Sequence, residues 1–237
     1  MIINDIATVL SVQIGNVTKE GDANSKEFLT KTYETASYKL PVSASVRVTK
    51  NGIEGDFVAD TVHHGGVDKA VFANSFKNYE SWKNFLGLDV LAFGALAENL
   101  TFDAIDETDV CIGDVHKIGS VILEVSQPRK PCWKISRRWQ NKHFTKEIYD
   151  TGKTGWYYRV VKEGMLAKGD KVELISRQNV LVSIQEANEA FKDPDEHAAG
   201  TVEKLMQLDV LAPAWKRGLE KRVANKNEVL EYMRVDD

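Results

Sequence analysis

The sequence has 237 residues and a mass of 26.6 kDa, enough for one large β-rich domain or for a domain of about 150 residues with a smaller appendage. Hydrophobic residues make up 43% and charged residues 28%, with 16 Gly and 5 Pro, which excludes a disordered, collagenous or low-complexity chain. A net charge of −4 and a pI near 5.8 leave no global positive field for nucleic acid or an anionic membrane, so any polyanion site needs a local basic cluster.

In chain order, Ala7 to Ile14 reads as a strand, followed by a loop through Gly21 and a second strand within Ser43 to Thr49, where Val46 and Val48 alternate with Arg47 and Thr49. After the turn at His63 to Gly66 comes a short apolar run, Lys69 to Ala73. From Ser75 to Leu86 the aromatics Phe76, Tyr79, Trp82 and Phe85 recur at three-residue steps, which predicts a helix with an apolar stripe, stopped at Gly87. Val110 to Ile118 and Val121 to Val125 are expected to pair as a hairpin that delivers the chain to Gln127. A short helix is expected at Phe144 to Thr151, closed by Gly152, and strands resume at Trp156 to Lys162 and Lys171 to Ser176. Many short strands with Gly-Asp turns predict a mainly β fold, a closed or nearly closed barrel with few helices.

The pattern changes after Arg177. Ser183-Ile184-Gln185-Glu186 forms a capping box, with Val182 and Ala187 spaced as a hydrophobic staple. Three helices are expected near Ile184 to Phe191, Thr201 to Leu208 and Pro213 to Val223. Each is too short to be stable alone, so they must pack on each other or on the barrel. No apolar run reaches the roughly 20 residues of a membrane span, and the N-terminus lacks a signal-peptide pattern, so a cytoplasmic location is expected.

Several motifs fail. Gly152-Lys153-Thr154 ends like a phosphate-binding P-loop, but Glu147 occupies the leading glycine position and the loop follows a helix. Asp103, Asp106 and Asp109 lack the central glycine and terminal glutamate of a calcium loop and read as a solvated acidic turn. His63-His64-Gly65-Gly66 is either an ordinary turn with an incidental histidine pair or a place where imidazoles and bare backbone approach a polar or anionic ligand.

The strongest constellation runs from Gln127 to Trp139 and carries Arg129, Lys130, Lys134, Arg137 and Arg138 with no acid. Nearby cations, together with a helix starting at Pro131, are expected to hold Cys132 as a reactive or metal-ligating thiolate. The competing reading is a surface stripe in which Trp133 and Trp139 stack on nucleic-acid bases. The other cysteine, Cys111, lies between Val110 and Ile112 without a basic neighbour in sequence and reads as a buried hydrophobe.

Taken together, Asp56, His63-His64-Gly65-Gly66, Asp68, Ala70, Phe93-Gly94, Glu98-Asn99-Leu100, Ile112-Gly113-Asp114 and Val125-Ser126-Gln127-Pro128-Arg129-Lys130-Pro131-Cys132 resemble the MOSC domain, named for the C-terminal domain of molybdenum cofactor sulfurases. The match is closer to the bacterial subgroup associated with 6-N-hydroxylaminopurine resistance, whose barrel carries a three-helix extension. The likeness covers roughly Ile53 to Ser176 and implies a barrel domain over 1–177 and a three-helix domain over 178–237. One departure is an insertion, Ala95-Leu96-Ala97, between Phe93-Gly94 and Glu98-Asn99-Leu100, where the family commonly reads F-G-E-N-L.

The resemblance implies the pterin-based molybdenum cofactor, with Cys132 as metal ligand or sulfur acceptor. It places His63, His64, Gly65, Gly66, Asp68, Asn99, Arg129 and Lys130 as cofactor-binding residues. It further implies reduction of a small N-hydroxylated substrate to the amine, with electrons from a separate, flavin-containing reductase. The alternative it leaves open is a non-catalytic carrier of sulfur or cofactor on Cys132. At family level there is also an association with pyridoxal phosphate binding.

Overall fold

Burial alternates along the first strand, β1 (Asn4–Ile14), with Ala7 and Val9 inside and Thr8 and Leu10 less covered, as a half-buried strand requires. The computed structural model describes residues 4–195 and 198–225. In it β1 is interrupted by register shifts between Asp5 and Ala7 and between Val9 and Ser11, and these let one strand serve two neighbours. Its first half pairs antiparallel with β7 (Lys171–Ser176), from Asn4↔Leu174 to Thr8↔Lys171, and its second half with β3 (Leu100–Phe102).

The remaining staves are β2 (Val71–Ser75), β4 (Val115–Ile118), β5 (Val121–Pro128) and β6 (Trp156–Lys162). The order β7-β4-β5-β6-β2-β3-β1, with β1 returning to β7, closes a seven-stranded barrel. Neighbours are antiparallel except β2 and β3, which run parallel and therefore need a long crossover. Leu40–Val42 extends the sheet beyond β1, and Val46–Thr49, Gly52–Ile53 and Gly164–Leu166 form a separate three-stranded sheet. The interior is filled by Val9, Val12, Leu100, Phe102, Ile118, Leu123, Trp156 and Tyr158, each fully or almost fully buried.

The expected strand over Val110 to Ile118 is shorter, because Val110 to Asp114 is a tight turn. There the Asp114 carboxylate accepts from Cys111 N–H at 2.9 Å, the Asp114 N–H donates to Cys111 C=O at 3.1 Å, and Gly113 sits at φ 81. The helix expected from Ser75 begins with a 3₁₀ turn and becomes α1 (Tyr79–Leu86), ended by Gly87 in the left-handed region. Its stripe packs with α2 (Lys134–Arg138) and α3 (Phe144–Thr151) into a satellite core of Tyr79, Trp82, Ile135, Phe144 and Ile148.

The inserted segment joins that core. Leu96 is fully buried in it, while the buried Glu98 carboxylate accepts from Gly94 N–H at 3.0 Å, Leu96 N–H at 2.9 Å and the Tyr79 hydroxyl. This closed loop holds Ala97 at φ 71, a conformation that costs an L-residue about 1 kcal/mol or more.

α4 (Ile184–Lys192) starts with the expected capping box, and a wide turn (Ala198–Val202), α5 (Glu203–Gln207) and α6 (Pro213–Ala224) follow. Residues 226–237 of the expected C-terminal domain lie outside the described residues. Ile184, Phe191, Leu205, Trp215 and Leu219 share one continuous core with the barrel. Among the described residues no helix is long and apolar enough to cross a membrane.

His116 is fully buried in the barrel with Nδ1 2.7 Å from the Tyr158 hydroxyl, and burial, aided by Arg177, holds its pKa down to about 3. The unfolded chain titrates near ~6.5, so between those values the folded protein binds fewer protons than the unfolded one. Stability is therefore expected to fall as pH drops from about 6.5 toward 3, with this residue contributing up to ~1.4 kcal/mol per pH unit. Urea titrations across that range check it, and His116→Gln should flatten the slope.

Candidate functional site

The three longest connections of the barrel meet over one cavity. The β2–β3 crossover brings Ala97 and Asn99, the β5–β6 connection brings Arg129, Cys132, Lys134 and Ile135, and the segment from Asp56 to Ala70 supplies the opposite wall. The space, counted out through its open mouth, is about 960 Å³.

Of the residues singled out from the sequence, His64, Gly65, Gly66, Asn99, Arg129 and Cys132 line this cavity. His63, Asp68 and Lys130 do not. The His63 ring is exposed and turned onto Asp60, Nδ1 to Oδ2 2.9 Å, so within this turn the adjacent histidines face different surroundings. Asp68 pairs with Arg159 at 2.8 Å, and its carbonyl accepts from the Ser126 hydroxyl, which ties the segment to β5 and β6. Lys130 points the other way from its neighbours, onto the rings of Phe191 and Trp215. Lys39, Lys69, Phe72 and Tyr157 also line the cavity and carried no site signal, and Asp56, one of the motif residues but not among the expected site residues, lines it too. Tyr157 was within reach of pattern reading, since the inward Trp156 and Tyr158 put it on the other face of β6.

The insertion leaves Asn99 in place. Its Oδ1 accepts from Phe72 N–H at 3.1 Å, and its Nδ2 donates to Gln13 C=O at 3.2 Å and to Asp56 Oδ2 at 2.9 Å. Asp56 also accepts from Gly15 N–H at 2.8 Å and from the Lys39 ammonium, an ion pair that is almost entirely covered. Burial pulls the Lys39 pKa down, and the Asp56 charge opposes it.

Arg129 is the clearest unmet demand. Its side chain is 7% exposed, lies over the Phe72 ring at 5.1 Å, and its Nη1 has no hydrogen-bond partner among the described residues. A buried guanidinium in that state calls for an anion. At Gly66, φ 98, no protein atom stands within 4 Å of where a Cβ would project, so bare backbone faces the space. These two features, beside a thiol, fit a ligand that carries phosphate and sulfur-bound metal.

The expected thiolate is corrected by burial. Desolvation pushes the Cys132 thiol up, outweighing the Lys134 N–H and the charges of Arg129 and Lys134. The helix starts at Lys134 rather than Pro131, so the N–H of its first residue meets the sulfur, too little to offset burial. Cys132 is therefore a neutral thiol, and a metal bound to it would take the proton's place. His64 is likewise held neutral, down to about 4, first by burial and then by Arg129 and Lys69.

Cys111 is raised to about 11 by burial and Asp114, though Arg177, distant in sequence, does lie close enough to oppose this. Trp133 packs edge-on against Phe28 and Tyr33, and Trp139 donates to Ala95 C=O at 2.9 Å, so the two indoles are committed inside the fold rather than forming an open stacking stripe.

A family model described as the MOSC domain matches residues 60–173. The chain is 30% identical to the protein YiiM of Escherichia coli (strain K12) over 195 residues, 79% of this chain and 84% of that one. The chain belongs to the MOSC family. Another relative, the uncharacterized protein YflK of Bacillus subtilis (strain 168), is 34% identical over 215 residues, 91% of this chain and 94% of that one. The crystal structure of YiiM from Geobacillus stearothermophilus superposes with a TM-score of 0.74 at 28% identity, covering 92% of this chain and 99% of that one. A protein named reductase from Gibberella moniliformis (strain M3125 / FGSC 7600) is 37% identical over 146 residues, 60% of this chain but only 26% of that one. The fold and the likeness to YiiM thus agree with the MOSC resemblance read from the motifs.

Proposed function

We propose that the cavity holds the pterin-based molybdenum cofactor with Cys132 as the protein ligand to the metal, and that the loaded protein reduces N-hydroxylated bases or hydroxylamines to amines. The observation that carries this reading is the buried, unpartnered Arg129 Nη1 in the same cavity as Cys132. Arg129, the bare backbone at Gly65 and Gly66 and the Lys134 side chain would hold the anionic end of the cofactor; Cys132 would hold its metal.

When bound, the cofactor supplies the two-electron reduction in the balance R–NHOH + 2e⁻ + 2H⁺ → R–NH₂ + H₂O. The protein's part is to bind, orient and supply protons. Lys39 holds a proton at Nζ against Asp56, and Asn99 fixes the Asp56 carboxylate that keeps it there. The neutral His64 ring offers one donor and one acceptor nitrogen to a polar substrate group. At the rim, Phe57 and Val58 are exposed and present an apolar lip suited to an aromatic base. The electrons come from a separate reductase, which we infer to be flavin-containing, and the name of the Gibberella relative supports a reductive role.

The carrier reading is disfavoured in its persulfide form, because a thiol whose ionisation is opposed by burial is a poor sulfur acceptor at rest. Protein purified from a host that makes the cofactor, assayed for metal and pterin and then given a chemical reductant and 6-N-hydroxylaminopurine, tests the proposal. The expected result is stoichiometric cofactor and conversion to adenine. Bound cofactor without conversion would support the carrier, and a protein without pterin would overturn both.

A further inference from the structure

Lys130 lies between two residues of the cavity wall, Arg129 and Cys132, yet faces the C-terminal helices. Its Nζ sits 3.9 Å from the centroid of the Phe191 ring on α4 and 5.4 Å from that of Trp215 on α6. α6 makes room for it at Gly218, where a Cβ would stand only 2.3 Å from that same nitrogen. A glycine inside a helix is unfavourable on propensity alone, so its presence opposite the ammonium marks a fitted seat. Other contacts hold the helices to the same part of the barrel. Ala212 N–H donates to Ser126 C=O at 3.0 Å, and Asn188 Nδ2 donates to Thr154 Oγ1 at 2.9 Å and Gly152 C=O at 3.0 Å.

We infer that Lys130 is a positioning residue: the aromatic rings and Gly218 of the C-terminal helices grip its side chain and thereby fix the short turn that aims Arg129 and Cys132 into the cavity. Pro128 and Pro131 stiffen the turn on either side, so a constraint at Lys130 is transmitted to the sulfur rather than absorbed. From the proposed function the inference borrows only the importance of Cys132, and it can be tested on the thiol with no cofactor bound.

The test is the rate of alkylation of Cys132 by iodoacetamide as a function of pH in the full-length Cys111→Ser protein, with and without Lys130→Ala or Gly218→Ala. Both variants are expected to alkylate about fivefold faster as the turn opens more often, the size of losing a single partly desolvated cation–π contact. Gly218→Ala separates positioning from general stability. Alanine favours the helix, so thermal unfolding should hold or rise while the displaced ammonium frees the turn. Alkylation in Gly218→Ala as slow as in the parent, with Lys130→Ala equally slow or unfolded, would overturn the inference. Faster alkylation that merely tracked a lowered melting temperature in both variants would overturn it as well. If the molybdenum reading failed, the alkylation result would be unaffected, so the two failures are distinguishable.

Discussion

Cys132→Ser is expected to fold normally, lose its metal and lose at least about a thousandfold in cofactor-dependent turnover, the scale seen when an essential reacting group is removed. The backbone C=O accepts from Ile135 N–H at 3.0 Å and from Thr145 Oγ1 at 3.2 Å without involving the sulfur, and the Lys134 N–H that meets the sulfur can donate to a serine oxygen instead. A serine hydroxyl keeps the shape but is a hard donor that will not ionise in a covered site, so it replaces the thiol in volume and not in metal chemistry. Mass spectrometric metal content, thermal unfolding and turnover of 6-N-hydroxylaminopurine check the three parts together. Wild-type metal content and rate would remove Cys132 from the mechanism. Cys111→Ser, in the tight turn before β4, should instead lower stability by about 1 kcal/mol, because a hydroxyl is buried there, and leave turnover alone.

Arg129→Met should move stability and binding in opposite directions. Without a ligand the wild-type protein carries a covered guanidinium with no carboxylate paired to it among the described residues, Glu98 acting only through its charge, and replacing such a charge by an apolar side chain can stabilise by about 1–4 kcal/mol. The lost contact with Phe72 is worth at most about 2 kcal/mol, and a thioether recovers part of it against the same ring. Cofactor-free Arg129→Met is therefore expected to unfold at higher urea, by about 1 kcal/mol, while losing about a hundredfold in cofactor retention through missing charge-assisted hydrogen bonds. A variant that is less stable without cofactor, or one that retains cofactor like the wild type, would contradict the role assigned to this side chain.

Much of the architecture can be read from local pattern, because the short apolar runs of β5, β6 and β7 read as strands and Ser183 and Glu186 announce α4 by side-chain chemistry alone. The turn at Val110 to Asp114 could not be read that way. Its residues are apolar enough for a strand, and only the Asp114 carboxylate, reaching back to Cys111 N–H, folds them over. At the site, motif proximity exposed Arg129 and Cys132 but overstated their neighbours. Lys130 and His63 are adjacent in sequence to cavity residues and face away from the cavity, since consecutive side chains diverge. Lys39 was invisible for the converse reason: it reaches Asp56 across 17 positions from a loop with no local pattern. The cationic run drew attention to Cys132, which does line the cavity, but misjudged its protonation, because sequence displays charges and hides the desolvation that opposes them.

Closure of β1 onto β7 has a consequence for biosynthesis. Leu174 is made some 170 positions after Asn4, so the ring cannot be sealed until every strand between them has been translated. Phe191, Trp215 and Gly218, which receive Lys130, emerge later still. A nascent chain therefore has no finished receptacle until these residues too have been made.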